Sequence, residues 1–292
     1  MQDHVSRRRM LQISAGGAAV AVASLAHGTR AGEIKPLKLK GNVNHSACRW
    51  CYNKIPLTDI CQAAATIGLK SIELVGPEEW PILKEHGLTC AMGNGAGMGI
   101  TKGFNRTEHH DQLVADYERL FPKAAAAGIP SVICFPGNRA GQDDEEGLVN
   151  CAAGIKRLMK AAEANKVTLV MELLNSRVDH KDYQCDHTAW GAELCRKVGS
   201  DRFKLLYDIY HMQIMEGDLI RTIQDNIDYI GHFHTGGVPG RHEIDESQEI
   251  YYPAVMRAIV ATGYRGFVGQ EFIPAGANPI AALRKAVEIC DV

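Results

Sequence analysis

Short apolar strands and helical stretches alternate along almost the whole chain, and this alternation constrains the fold more than any other feature. Helical patterns separate the predicted strands, and Gly68, Gly128 and Gly263 are typical helix-ending residues. Alternating units of this kind build a parallel sheet. Eight strands are predicted, at residues 39–45, 71–75, 89–94, 131–135, 167–173, 203–209, 230–235 and 266–272.

The number of units favours a closed (β/α)₈ TIM barrel. Such barrels usually need about 250 residues, whereas an open doubly wound sheet carries a glycine-rich phosphate turn after its first strand. No Gly-x-Gly-x-x-Gly follows the first predicted strand, and the glycine-rich segment 93–99 follows the third. We interpret that segment as a flexible active-site loop. No long linker interrupts the pattern, so residues 38–292 are predicted to form a single α/β domain.

The N-terminal segment has the form of a twin-arginine (Tat) export signal. Arg7, Arg8 and Arg9 precede an uncharged stretch, residues 13–26, that is rich in Ala, Gly and Val. That stretch is short for a membrane span, and small residues suitable for cleavage follow it. We therefore expect residues 1–31 to be a signal peptide, the Tat machinery to export the precursor to the periplasm or beyond, and no stable membrane anchor. A basic, disordered tail is the alternative.

Charge and cysteine content narrow the range of partners. The 292-residue chain has a formal net charge of -2, which gives no basic field of the kind that accompanies nucleic-acid binding. A small-molecule substrate is therefore expected, and a homo-oligomer remains possible.

Cys48 and Cys51 have the spacing of a redox or zinc half-site, but no second pair of cysteines follows at zinc-ribbon distance. Cys61, Cys134, Cys151, Cys195 and Cys290 lie in apolar contexts and are interpreted as small buried hydrophobic residues, and thiols buried before export could stay reduced.

Side chains that bind metals lie at the ends of four consecutive predicted strands. In a TIM barrel these ends form one rim, where several carboxylates repel each other unless a cation neutralises them. Oxygen-rich ligation with an imidazole suits Mn²⁺, Mg²⁺ or Co²⁺. His232 is interpreted as a packed or supporting residue. The residues are Glu172 at the end of the fifth strand with Asn175 just after it, Asp208 at the end of the sixth with His211 three residues on, His232 and His234 on the seventh, and Glu271 at the end of the eighth.

Four segments carry a family resemblance that covers the chain from about residue 40 to its end. They are similar to the sugar isomerase and epimerase barrels related to xylose isomerase, and within that group to hydroxypyruvate isomerase. The segments are Met171-Glu-Leu-Leu-Asn175, Tyr207-Asp-Ile-Tyr-His-Met-Gln213, Gly231-His-Phe-His234 with Pro239-Gly-Arg241, and Gly269-Gln-Glu-Phe272.

The resemblance implies a role for each matching residue. Glu172, Asp208, His234 and Glu271 would bind the metal, and Glu172 and Glu271 would also be the acid/base pair. The residues expected to bind the substrate are His211, Arg241 and Asn175. Because a guanidinium pairs bidentately with a carboxylate, Arg241 favours an acid substrate.

The expected reaction is isomerisation of a hydroxy-carbonyl or sugar substrate through an enediolate, such as hydroxypyruvate to tartronate semialdehyde. Two positions depart from bacterial hydroxypyruvate isomerases, which carry Gln at the place of His234 and Pro at the place of Leu174. Ketose 3-epimerases share His234, so a sugar epimerase is the first alternative. A non-catalytic exported sugar-binding barrel and an endonuclease IV-like nuclease are the others, and the charge balance disfavours the nuclease.

Overall fold

A computed structural model describes residues 34–292, so the predicted signal peptide at 1–31 lies outside the described residues. Seven named strands alternate with helices along this part of the chain. Their predicted positions are confirmed except for the first strand and for the segment 89–94. The strands are β1 (Asn44–Cys48), β2 (Ser71–Glu73), β3 (Ser131–Cys134), β4 (Thr168–Glu172), β5 (Phe203–Asp208), β6 (Ile230–Thr235) and β7 (Phe267–Gln270).

Helices lie between the strands, as the alternating pattern predicts, and there are two short ones, α2 and α6, within residues 34–292. Asp143 caps α4 by accepting a hydrogen bond from the Glu146 backbone N–H at 2.8 Å. Gly68 ends α1 in the left-handed conformation. The helices are α1 (Leu57–Ile67), α2 (Trp80–Glu85), α3 (His110–Ala127), α4 (Asp144–Asn165), α5 (Thr188–Val198), α6 (Ile209–Met215), α7 (Leu219–Asn226), α8 (Tyr252–Ala261) and α9 (Pro279–Cys290).

All seven strands are parallel, in the order β2-β1-β7-β6-β5-β4-β3. The segment 89–94 lies between the two edge strands and joins them. The Leu74 N–H donates to the Met92 carbonyl at 2.7 Å, and the Gly93 N–H donates to the Ser131 carbonyl at 2.9 Å. The predicted third strand therefore exists as a short irregular ladder at the eighth position, and the single-barrel prediction is confirmed.

The predicted position of the first strand, 39–45, is wrong. The strand runs from Asn44 to Cys48, where buried His45 and Ser46 pair with β7. Residues 39–43 precede the sheet. The correction moves Cys48, rather than His45, to the end of the strand that faces the site.

The apolar residues form two buried groups. The main core packs the outer face of the sheet against the helices. A smaller cluster of Met92, Ile133, Val170 and Leu206 comes from neighbouring strands, as expected for the interior of a barrel. Within residues 34–292, no helix is long and apolar enough to cross a membrane.

Candidate functional site

Four neighbouring strands bring the predicted metal ligands together. Glu172 ends β4, Asp208 ends β5, His234 lies near the end of β6, and Glu271 directly follows β7. One ligand atom from each lies within 4.8 Å of those of the others, and all four side chains are buried. The local sequence fixes Asp208 further, because its carboxylate caps α6 by accepting from the His211 backbone N–H at 3.1 Å.

The ligand atoms of the cluster are arranged to bind a shared cation rather than to form hydrogen bonds with one another. His234 Nδ1 lies 2.6 Å from Glu271 Oε2 and 3.5 Å from Glu172 Oε1. Even so, His234 Nδ1 and Glu172 Oε1 have no hydrogen-bond partner. Buried polar atoms that converge without pairing are costly unless an ion satisfies them. Three carboxylates and one imidazole nitrogen therefore suit a divalent metal of the Mn²⁺, Mg²⁺ or Co²⁺ kind.

The two glutamates differ in their electrostatic environment. Burial and the nearby charge of Glu271 raise the pKa of Glu172 to about 7. Burial alone would raise the pKa of Glu271 too, but His234 and Arg241 outweigh it and hold that pKa well below its ordinary value. The same pocket thus holds one carboxyl that retains a proton readily and one that is ionised.

Arg241 lies inside the site and supplies a positive charge to its carboxylates. Its Nη2 donates to Asp208 Oδ2 at 2.7 Å and also to Glu271. The guanidinium lies over the Tyr210 ring, 4.8 Å from its centroid. It also lines the cavity. Arg241 can therefore meet a substrate carboxylate or the site's own carboxylates.

His211 and Asn175 are in contact, but only His211 lines the cavity. The Asn175 side-chain amide donates to His211 Nδ1 at 2.6 Å, and Arg241 Nη1 lies 2.5 Å from His211 Nε2. Both ring nitrogens face N–H groups, whereas a neutral imidazole accepts at one nitrogen only. Asn175 is fully buried and contacts His211, so the structure places it beside a cavity residue, and its role in substrate binding stays a prediction.

Glu73 is a buried site residue that the sequence interpretation missed. Its Oε1 lies 2.8 Å from His232 Nε2 and 2.6 Å from His234 Nε2. His232 therefore has the predicted supporting role. The contact is close because residue 269 is glycine, since a Cβ there would lie 2.6 Å from Glu73 Oε1. An acidic residue inside the apolar run 71–75 was the available sequence signal.

The segment after β1 adds two further contacts. Trp50 Nε1 donates to Glu271 Oε1 at 2.6 Å. Cys48 Sγ lies 3.5 Å from His234 Nε2, and burial raises the pKa of its thiol well above the ordinary value. All nine cysteines are unpaired. Eight of the nine cysteines are buried and Cys51 is partly buried, so the predicted burial is confirmed for Cys61, Cys134, Cys151, Cys195 and Cys290, whereas the redox state of the thiols stays a prediction.

A cavity of about 690 Å³ opens above this cluster. Glu172, His211, Arg241 and Glu271 line one side of it, and the glycine-rich segment 93–99 lines the other. The predicted placement of that segment at the site is therefore confirmed. Its Gly95 allows close packing, because a Cβ there would lie 2.1 Å from the Ile133 carbonyl oxygen.

A parallel α/β barrel with carboxylates and a histidine gathered at the carboxyl ends of its strands defines the class of protein. Within that class, the chain belongs to the xylose isomerase-like TIM barrel family, whose sequence profile matches residues 61–291. The resemblance inferred from the sequence motifs is confirmed.

Individual relatives agree with this membership. A 2-oxo-tetronate isomerase from Cupriavidus necator is 30% identical over 237 residues, which cover 76% of this chain and 89% of that protein. The human protein named "Putative hydroxypyruvate isomerase" is 29% identical over 233 residues, 78% of each chain. The crystal structure of an AP endonuclease, family 2, from Brucella melitensis superimposes with a TM-score of 0.72 at 24% identity, covering 82% of this chain and 97% of that one. At that identity the likeness concerns the fold alone.

Proposed function

We propose that this chain is a metal-dependent isomerase that moves a proton between adjacent carbons of a hydroxy-carbonyl substrate through an enediolate. Hydroxypyruvate to tartronate semialdehyde is the reference reaction. One observation carries the proposal: Glu172 and Glu271 both open onto the cavity, while their carboxylates share a buried cluster with Asp208 and His234. The names of the curated relatives support the isomerase class.

The chain's own residues would divide the work. Glu172 and Glu271 come from strands that two others separate in the sheet, so they flank the cluster. One carboxylate takes the carbon-bound proton and the other returns a proton to the neighbouring carbon. His211 and Arg241 hold substrate oxygens from the cavity wall. A divalent ion bound by the four ligands would polarise the carbonyl and acidify the adjacent C–H.

A ketose 3-epimerase is the second candidate, and His234 among the ligands favours it. The same residues perform epimerisation when the proton returns to the carbon that lost it, from the opposite face. A non-catalytic sugar-binding barrel would bind without proton exchange. Incorporation of solvent deuterium into hydroxypyruvate and into ketoses separates the isomerase, the epimerase and the non-catalytic barrel. The mass of the product and the position of the label distinguish the three.

Glu172→Gln and Glu271→Gln test the acid/base pair. Each variant should lower turnover of the Mn²⁺-loaded protein by at least about a hundredfold, the usual scale for a lost proton-transfer group. Rates of deuterium exchange measure the loss, and circular dichroism checks folding. Glu108→Gln, an exposed residue before α3, is the matched control and should keep the wild-type rate. Near wild-type exchange in either site variant would contradict the proposal.

A further inference from the structure

The cavity is large for a three- or four-carbon acid. Its volume of about 690 Å³ equals that of about twenty water molecules at ~30 Å³ each. A molecule the size of hydroxypyruvate that reached Glu172 and Glu271 would leave most of this space to water. The size of the cavity therefore calls for a larger substrate.

The remaining space is apolar and lies on one side of the barrel mouth. The charged residues of the proposed chemistry come from the β4 to β7 side, whereas the opposite wall comes from β3, α3, the residues just after β2 and β3, and the segment 94–104. That wall is mostly apolar, and its polar lining residues are Asn94 and Lys102. The Tyr117 hydroxyl on that wall is already committed, since it donates to the Ile133 carbonyl at 2.7 Å. We call the space along this wall the apolar compartment. The residues that line it are Leu74, Ala96, Phe104, Leu113, Tyr117 and Phe135.

The apolar compartment is built into the fold. Phe104, Leu113 and Tyr117 are buried, and their side chains belong to the main core. Gly103 brings the backbone against the end of β3, because a Cβ there would lie 2.1 Å from the Phe135 carbonyl oxygen. A wall held by core residues keeps its shape without a ligand, so it can select by shape.

We propose that the substrate of this site is a hydroxy-carbonyl compound that carries an apolar group of aromatic-ring size close to its reacting carbons. The polar end lies at Glu172, Glu271 and Arg241, and the apolar group fills the apolar compartment. This inference rests on the proposed function for the reaction, but the binding preference that it states can be measured separately.

Two hydroxy ketones that differ only in an aromatic extension test the preference. Hydroxyacetone is the small probe, and 1-hydroxy-4-phenylbutan-2-one is the extended probe. With Mn²⁺-loaded protein, kcat/KM for deuterium exchange should be roughly ten- to a hundredfold higher for the extended probe, because burial of a phenyl ring contributes a factor of that order. Calorimetry should give the same order of preference in Kd.

A bulky side chain that fills the apolar compartment should remove the preference for the extended probe. Ala96→Trp places an indole in the compartment, so the ratio of the two kcat/KM values should fall towards one. Val149→Trp adds an indole on the exposed face of α4 and should leave the ratio at its wild-type value. Equal binding of the two probes, or an Ala96→Trp ratio unchanged from wild type, would overturn the inference.

The outcomes distinguish the two proposals. Tighter binding of the extended probe without any exchange would support the substrate class and contradict the isomerase proposal. Exchange at equal efficiency with both probes would support the isomerase and contradict the apolar group.

Discussion

Glu73 is a fully buried carboxylate whose oxygen Oε1 faces two histidines of one strand. Burial alone would raise its pKa, but His232 and His234 outweigh that effect and hold the pKa far below its ordinary value. A carboxylate that accepts from the distal nitrogen of a metal-binding imidazole fixes the ring and strengthens it as a ligand. Glu73 is therefore expected to position His234 without touching the substrate.

Glu73→Gln should lower the Mn²⁺ affinity about 10- to 100-fold, because an amide fixes the His234 ring less strongly than a carboxylate does. Isothermal titration with Mn²⁺ measures this without reference to turnover. Glu78→Gln, a carboxylate outside the three groups that could bind an ion, is the control and should keep the wild-type Mn²⁺ affinity. Wild-type Mn²⁺ affinity in a folded Glu73→Gln protein would refute the positioning role.

The site residues that could be predicted from the sequence are those that end a predicted strand. Glu172, Asp208 and Glu271 terminate apolar runs, so the barrel pattern alone indicates one shared rim. Glu73 and Trp50 could not be assigned in this way, because β2 is only three residues long and Trp50 lies beyond a strand whose position was wrong. The orientation of Asn175 depends on a turn that periodicity does not describe.

At the scale of elements, Arg139 joins two loops at the carboxyl ends of β3 and β4. It lies after β3 and pairs with Asp144 at the start of α4 and with Asp186 before α5, at 2.7 and 2.9 Å. Burial alone would raise the pKa of Asp186, but hydrogen bonds from Arg139, Ser176 and His187 outweigh it and lower the pKa. The loops after β3 and β4 are therefore held together by a partly buried charge pair.

Arg139→Met should reduce the free energy of unfolding by about 2 kcal/mol at pH 7, the scale of a hydrogen bond to a charged group. A lowered carboxyl pKa contributes stability above the unfolded-state value, about 3.9, and loses it as the pH falls through the folded-state value. The difference from wild type should thus stay constant from about pH 8 to pH 5 and shrink below about pH 4. Urea unfolding across this range measures it.

The exposed pair on α3 provides the control for Arg139. Arg119→Met removes the partner of Asp116 on the helix surface and should change stability by less than about 1 kcal/mol. An Arg139→Met protein as stable as wild type at pH 7, or a difference that grows in acid, would contradict the charge pair.

The helices were predictable because their 3.6-residue pattern is long and ends at glycine or at a cap. The first strand was not, because its own residues His45 and Ser46 are polar yet buried, whereas Leu39 and Val43 just before it mimic a strand. The segment 89–94 reads as a strand but forms only isolated parallel bridges. Residues next to a site thus break the apolar pattern on which such predictions depend.

At the scale of the whole molecule, the candidate metal ligands gather at one place in the barrel. Three overlapping groups within residues 34–292 could bind an ion, and all three include His234. Because the ligands come from β4, β5, β6 and the residue after β7, an ion there would tie half of the barrel together. Binding of an ion at this place would therefore be linked to folding stability.

Mn²⁺ at about 100 times its Kd should raise the free energy of unfolding by about 2.7 kcal/mol, and a chelator should reverse the gain. Asp208→Asn should abolish most of this gain because it removes one of the three carboxylates. Asp225→Asn, an exposed residue of α7, should keep it. Urea titrations with and without Mn²⁺ measure the difference, and a stability independent of Mn²⁺ in the wild-type protein would contradict the metal centre.

The hydrogen bond between Trp50 and Glu271 gives the site an optical signal of its own. The chain has three tryptophans. Trp80 is buried and donates to the Val75 carbonyl, and Trp190 donates to the Asp144 carbonyl, so neither touches the acid cluster. Only the Trp50 indole shares its N–H with a site carboxylate while 38% of its surface faces solvent. The fluorescence of Trp50 should therefore report ligand binding at the mouth of the barrel. It can be recorded on unlabelled protein in a rapid-mixing experiment.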